Sequence, residues 1–156
     1  QQLENLAGLR QRGLIEHLGV SNYSAKQLRR AIEIVGPIAT VQNQLSLAYR
    51  NELEVLEVCE EFGINYLPWS PMKGAHGRDA SPELRDFAAN HSASTYAVAV
   101  AWLRSLSTVV VPLPGVTRPA SVIDALSGLE LALSGDVPLA ESLPMDAELL
   151  SDQPSS

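Results

Sequence analysis

One cysteine, Cys59, stands in 156 residues, which excludes an internal disulfide and a cysteine-based metal cluster. Basic residues are also scarce: eleven Lys and Arg face eighteen Asp and Glu, for a formal charge of −7. Nucleic acids and anionic membranes both demand basic surface, so neither is an expected partner, although one local basic site for a phosphate is still compatible. Long apolar runs are missing. The longest, residues 97–103, is broken by Arg104 and falls well short of the roughly 20 residues that a membrane span requires. No signal peptide is recognisable, and with the lone cysteine this makes a reducing cytoplasm the expected compartment. The chain also lacks a G-x-G-x-x-G after its first strand and a G-x-x-x-x-G-K anywhere, so the commonest nucleotide-binding fingerprints are absent.

What is present suits one soluble domain. Hydrophobic residues make up 46% of the chain, enough for a real core at this length. QQLENLAGLRQRG spaces Leu3, Leu6 and Leu9 by three, and Gly13 stands where a helix would stop. LIEHLGV reads as a first strand, with Ser24 placed to cap KQLRRAIEIV and Gly36-Pro37 to end it. IATVQNQL is a second β-rich run. Asn51 can cap ELEVLEVCEEF, where Leu53, Leu56 and Cys59 share a face. INYLPW is a third strand, followed by a loop with Pro71, Gly74 and Gly77. Ser81-Pro82 introduces ELRDFAAN, and Ser94 opens TYAVAVAWLRSL. TVVVPLP is a fourth strand of the continuous β-branched kind that is buried on both faces. GVTRPASVIDAL turns into a last helix, and residues 135–156 read as an irregular tail with one short helix at MDAELL.

Strands alternating with helices across short loops imply a parallel sheet with right-handed crossovers. Periodicity leaves a doubly wound sheet and part of a (β/α)8 barrel equally open. In both, ligands gather beyond the carboxyl ends of the strands. Ser21-Asn22, Gln42-Asn43, Trp69-Ser70 and the run from Gly115 to Arg118 lie there. Each has a plain structural reading. Ser21 and Asn22 satisfy loop backbone, Gln42 is a buried amide with a structural partner, and Trp69 is a core aromatic. The last run is a polar helix start with an exposed arginine. Together, amides, an aromatic plane and an anion-friendly helix start suit a ligand with a carboxamide, an aromatic ring and phosphates.

On these residues the sequence resembles the aldo-keto reductases. GLIEHLGVSNYS is similar to the family's fifth-strand segment with G-V-S-N-[FY]. ATVQNQLSLAYR resembles the sixth-strand V-V-Q-N-E-Y-S-L stretch, and INYLPWSPMKGA the seventh-strand [WY]-S-P-L-x-x-G pattern. VVVPLPGVTRPASVIDA looks like the eighth strand and its cofactor turn. The resemblance runs collinearly from about Leu3 to Leu133. It implies an α/β fold of the parallel (β/α)8 TIM-barrel type, of which residues 1–134 are the carboxy-terminal half. By position, it implies that Ser21, Asn22 and Gln42 hold a nicotinamide carboxamide and that Trp69 stacks on its ring. It places Ser70, Met72 and Gly74 along the pyrophosphate, Gly115, Val116, Thr117 and Arg118 at the adenosine phosphate, and Asp124 near the adenine.

Departures from the family pattern matter too. Many members carry a lysine at the Gly115 position and an arginine at the Ser121 position to grip a 2′-phosphate. Here Arg118 alone is near enough, which favours NADP(H) over NAD(H). Gln44, Leu45 and Ala125 replace a glutamate, a tyrosine and an asparagine. The family's tyrosine, lysine, aspartate and histidine catalysts belong to strands one to four, so no catalytic residue is assigned in this chain. Tyr23 and Tyr49 have no lysine and aspartate at matching spacing. His17 reads as a packed or edge histidine, His76, His91 and Lys73 as solvated loop residues, and Cys59 as core. The resemblance implies a reductase of aldehydes or ketones, its partners being the nicotinamide cofactor and a small carbonyl substrate in the intact barrel. Four strands leave two open edges. The alternatives are therefore a fragment of a full enzyme, a half-barrel that self-associates through those edges, and a non-catalytic nucleotide-binding or oligomerisation module.

Overall fold

Helices begin where small hydroxyl side chains satisfy the first free backbone N–H groups. The computed structural model describes residues 2–51, 53–77 and 80–131. Their elements are α1 (Gln2–Gln11), β1 (Gly19–Ser21), α2 (Ala25–Val35), β2 (Thr40–Gln42), α3 (Leu53–Phe62), β3 (Asn65–Tyr66), α4 (Pro82–Asn90), α5 (Thr95–Leu106) and α6 (Pro119–Glu130). Ser24 and Gln27 form a reciprocal capping box at α2: the Gln27 N–H donates to Ser24 Oγ at 3.3 Å, and the Ser24 N–H to Gln27 Oε1 at 2.9 Å. Ser81 accepts from the Leu84 N–H at 3.1 Å and Ser94 from the Ala97 N–H at 2.9 Å, so α4 and α5 start where their serines predict.

The three strands form one parallel sheet in the order β1-β2-β3. Register aligns Val20 with Val41 and Val41 with Tyr66, and a further parallel bridge joins Tyr66 to Val110. Val41, Tyr66 and Val110 are fully buried along this row. Leu28, Ala31 and Val35 of α2 and Val55, Leu56, Val58 and Cys59 of α3 supply much of the core. The continuous buried run 97–103 of α5 adds a further large share. Small residues set how closely α5 and α6 approach. A Cβ on Gly128 would lie 2.4 Å from the Ala97 carbonyl oxygen.

Several sequence expectations change here. The first strand is confined to Gly19–Ser21, and Leu14, Glu16 and His17 are exposed before it, so His17 is neither packed nor within a strand. The fourth strand reduces to the single bridge at Val110. The Tyr66 N–H donates to Val109 O at 2.9 Å and the Val111 N–H to Tyr66 O at 2.8 Å. Beyond these, Pro112 and Pro114 have no N–H to offer, which ends the ladder. Val111 and Leu113 are exposed, so the run is not buried on both faces. Helix α1 forms, but none of its residues is fully buried and Leu6 faces outward. Leu53 is exposed as well, leaving Leu56 and Cys59 on the buried face of α3. The expected tail at 135–156, with its short MDAELL helix, lies outside the described residues. No helix among the described residues is long and apolar enough to cross a membrane.

Candidate functional site

The ends of β1, β2 and β3 are laced together by hydrogen bonds. Ser21 Oγ donates to the Gln42 carbonyl at 2.9 Å, and the Asn22 N–H donates to the same oxygen at 3.1 Å. The Trp69 N–H donates to Asn43 O at 3.0 Å, and the Trp69 indole N–H donates to Asn22 Oδ1 at 3.1 Å. This last bond spans from β1 to the segment after β3, so three of the four sequence-predicted rim elements meet. Asn22 and Ser70 have φ of 56° and 50°. That left-handed region is sparsely populated for residues other than glycine and is enriched at ligand sites.

Strand alternation decides which amide is buried. Asn43, not Gln42, points inward: it is 2% exposed, its Nδ2 donates to Tyr23 O at 2.8 Å and its Oδ1 accepts from the Tyr23 N–H at 3.3 Å. Gln42 is half-buried and its amide makes no hydrogen bond among the described residues. The expected structural partner for Gln42 is thus replaced by one for its neighbour, and the Gln42 amide is open to a ligand. Trp69 is half-buried at the rim, and Trp102 on α5 is the core tryptophan.

From Ser70 a cleft of about 470 Å³ continues, lined by residues 70–73, His76, Leu113 and Gly115. It joins the rim to the turn before α6. Met72 lines it while also packing in the core. Gly74 has φ of 84°, and a Cβ there would meet Ala48 Cβ at 2.9 Å, so this loop folds only with glycine at that point. Sequence reading missed how α5 holds the loop. Thr95 Oγ1 donates to Ala75 O at 2.7 Å. The Tyr96 hydroxyl hydrogen-bonds the His76 ring, which it meets edge-on with centroids 4.7 Å apart. His76 is exposed but tethered, and His91 stacks on Phe87 at 4.1 Å. Tyr96, two residues after the Ser94 cap, was the available signal for the His76 contact.

Gly115, Val116, Thr117 and Arg118 are exposed at the start of α6. Arg118 occupies the cap position with extended backbone and makes no side-chain cap bond, and Pro119 follows. Its guanidinium has no partner among the described residues. Among the described residues the helix start therefore presents uncapped backbone and an unpaired cation. Asp124 is half-buried farther along α6, and its carbonyl accepts from Ser127 Oγ at 2.7 Å. Among the described residues no three of His, Cys, Asp and Glu gather as a metal site. Among the described residues, an unbonded amide and an aromatic face at the rim, with a cleft from Ser70 to Gly115 leading toward an uncapped helix start, fit a ligand carrying an amide, a flat ring and an anion.

The family model described as "Aldo/keto reductase family" matches residues 1–137, and the chain belongs to that family. Pyridoxine 4-dehydrogenase of Escherichia coli is 33% identical over 132 residues, covering 85% of this chain and 46% of that protein. The chain spans under half the length of such curated relatives. A thermostable aldo-keto reductase solved with the inhibitor epalrestat is 29% identical with a TM-score of 0.80, covering 90% of this chain and 54% of that one. The Bombyx mori aldo-keto reductase in complex with NADP, 19% identical with a TM-score of 0.70, shares the fold over 89% of this chain and 53% of its own. Family members use nicotinamide cofactors.

Proposed function

We propose that this chain supplies the cofactor contacts of an NAD(P)H-dependent reductase that converts aldehydes or ketones to alcohols by hydride transfer. The carrying observation is the convergence of Ser21, Asn22, Gln42 and Trp69 on one rim, next to a cleft that begins at Ser70 and reaches Gly115. In this reading residues 1–134 are strands five to eight of a (β/α)8 barrel, and the segment at Val110 is its eighth strand. Ser21, Asn22 and Gln42 hold the carboxamide, and Trp69 covers one ring face. Ser70, Met72 and Gly74 pass along the pyrophosphate. The turn from Gly115 to Arg118 takes the adenosine phosphate, with Asp124 near the adenine. The nicotinamide, when bound, supplies the hydride. NADP(H) is preferred to NAD(H) because Arg118 offers a free bidentate cation where a 2′-phosphate would sit.

Carbonyl protonation needs an acid near its working pH, and a free tyrosine at about 10 requires partners to serve. Tyr66 is sealed in the core with its hydroxyl on Gln44 O, and Tyr96 is engaged by His76. We assign the proton donor to residues outside this chain. The chain alone, folded and mixed with NADPH and a small aldehyde, should bind cofactor without oxidising it. Sustained carbonyl-dependent loss of NADPH absorbance would overturn the assignment, and a folded sample that binds neither cofactor would remove the whole reading.

One observation favours a second reading as an oligomerisation module. Val122, Ile123, Leu126 and Leu129 are exposed along α6, and β1 pairs on one side only among the described residues. Concentration-dependent self-association of the chain without cofactor affinity is the outcome that supports it.

A further inference from the structure

The rim has a fixed polarity that follows from what its atoms already do. An indole N–H only donates, so the Asn22 atom that Trp69 Nε1 meets at 3.1 Å is the oxygen Oδ1. The Asn22 amide is thereby oriented, and its Nδ2 remains as a donor. Ser21 is fixed in the opposite sense. Its hydroxyl proton is given to the Gln42 carbonyl at 2.9 Å, so Ser21 Oγ has only lone pairs left for a ligand. One donor and one acceptor stand on consecutive residues of the same strand end, both exposed. A primary carboxamide carries one acceptor and one donor and complements that pair. A carboxylate carries only acceptors and would set one of its oxygens against the Ser21 lone pairs.

We propose that Trp69 is a positioning residue that acts through its indole N–H on Asn22, and that the polarity it sets makes this site select a nicotinamide dinucleotide over its nicotinic acid counterpart. The selection rests on the cofactor reading above. It adds to it a second duty for Trp69, distinct from covering the ring, and a ligand class that the site rejects. The unusual backbone of Asn22, with φ of 56°, is held partly by this bond and partly by the Asn22 N–H to Gln42 O contact.

Calorimetric titration of the 156-residue chain with NADP+, nicotinic acid adenine dinucleotide phosphate and adenosine 2′,5′-bisphosphate tests this. The wild-type chain should bind NADP+ at least about tenfold more tightly than the nicotinic acid form, the scale of leaving one polar group unpaired. Trp69→Phe keeps a ring face but removes the donor, and it should shrink that preference to within about threefold. The bisphosphate, which has no nicotinamide, should bind equally to both proteins. Asn22→Asp is tolerated at positive φ and replaces the outward donor by an acceptor, so it should cut NADP+ affinity about tenfold with the bisphosphate unchanged. An undiminished preference in folded Trp69→Phe, or equal losses for all three ligands, overturns the polarity proposal while leaving the cofactor reading intact. Failure of the folded wild-type chain to bind both NADP+ and the bisphosphate overturns the reading and the proposal together.

Discussion

Arg118 and Cys59 show how opposite surroundings give two reactive side chains opposite fates. Arg118 is exposed, partnerless among the described residues, and set at an uncapped helix start. Arg118→Ala should weaken NADPH binding about tenfold and NADH binding by less than about twofold, the loss of one charge-assisted contact to a 2′-phosphate. Parallel titrations with the two cofactors check this, and equal losses would remove Arg118 from that role. Cys59 is fully buried in α3, and burial pushes its thiol up to about 12 from an ordinary 9.0. The folded chain holds the neutral thiol, whereas the unfolded chain ionises it at lower pH. Its contribution is therefore complete below about pH 9 and is lost as pH climbs toward 12. Iodoacetamide at pH 8 should leave Cys59 unmodified until urea unfolds the protein; labelling at the native rate of a free thiol would contradict its burial. At this scale the sequence was informative where chemistry is local. Ser24, Ser81 and Ser94 cap as their neighbours imply. The exchange of roles between Gln42 and Asn43 was not readable, because a three-residue strand that ends at consecutive amides leaves its inward phase undetermined.

Elements were legible in type and order but not in extent. The six helices of the described residues and the parallel alternation follow from caps, glycines and apolar spacing. The strands shrank because pairing, not propensity, defines them, and pairing partners lie far away in sequence. The run at 108–114 has every β-branched cue, yet prolines and a missing outer neighbour among the described residues leave one bridge. The placement of α6 matters most for the site, since it carries the turn at Gly115 to Arg118. Its seat on α5 depends on Gly128, where a methyl would strike the Ala97 carbonyl oxygen. Gly128→Ala should destabilise the fold by about 1–3 kcal/mol, the usual range for overpacking a close backbone contact. It should also weaken phosphate-dependent binding by tilting the helix start. Urea midpoints and NADPH titrations on the same sample report both; a stability at or above wild type would show that the α5–α6 seat is slack.

For the whole molecule, family membership rests on a match over residues 1–137, while the geometry rests on three strand ends and one cleft. Both are compatible with the proposed nicotinamide dinucleotide, and the proposal separates its binding from the chemistry done with it. In that proposal the chain supplies the binding rim, and the proton donor is assigned elsewhere. On the proposed reading a larger assembly would continue at the exposed apolar line on α6 and at β1, which pairs on one side only among the described residues. Trp69 offers a direct reporter of the rim, because the chain's other tryptophan, Trp102, is buried in α5 away from solvent. Titrating NADPH into the chain while following tryptophan emission should give saturable quenching that largely disappears in Trp69→Phe. Absence of quenching in a folded sample, or equal quenching in Trp69→Phe, would contradict a nicotinamide site at this rim.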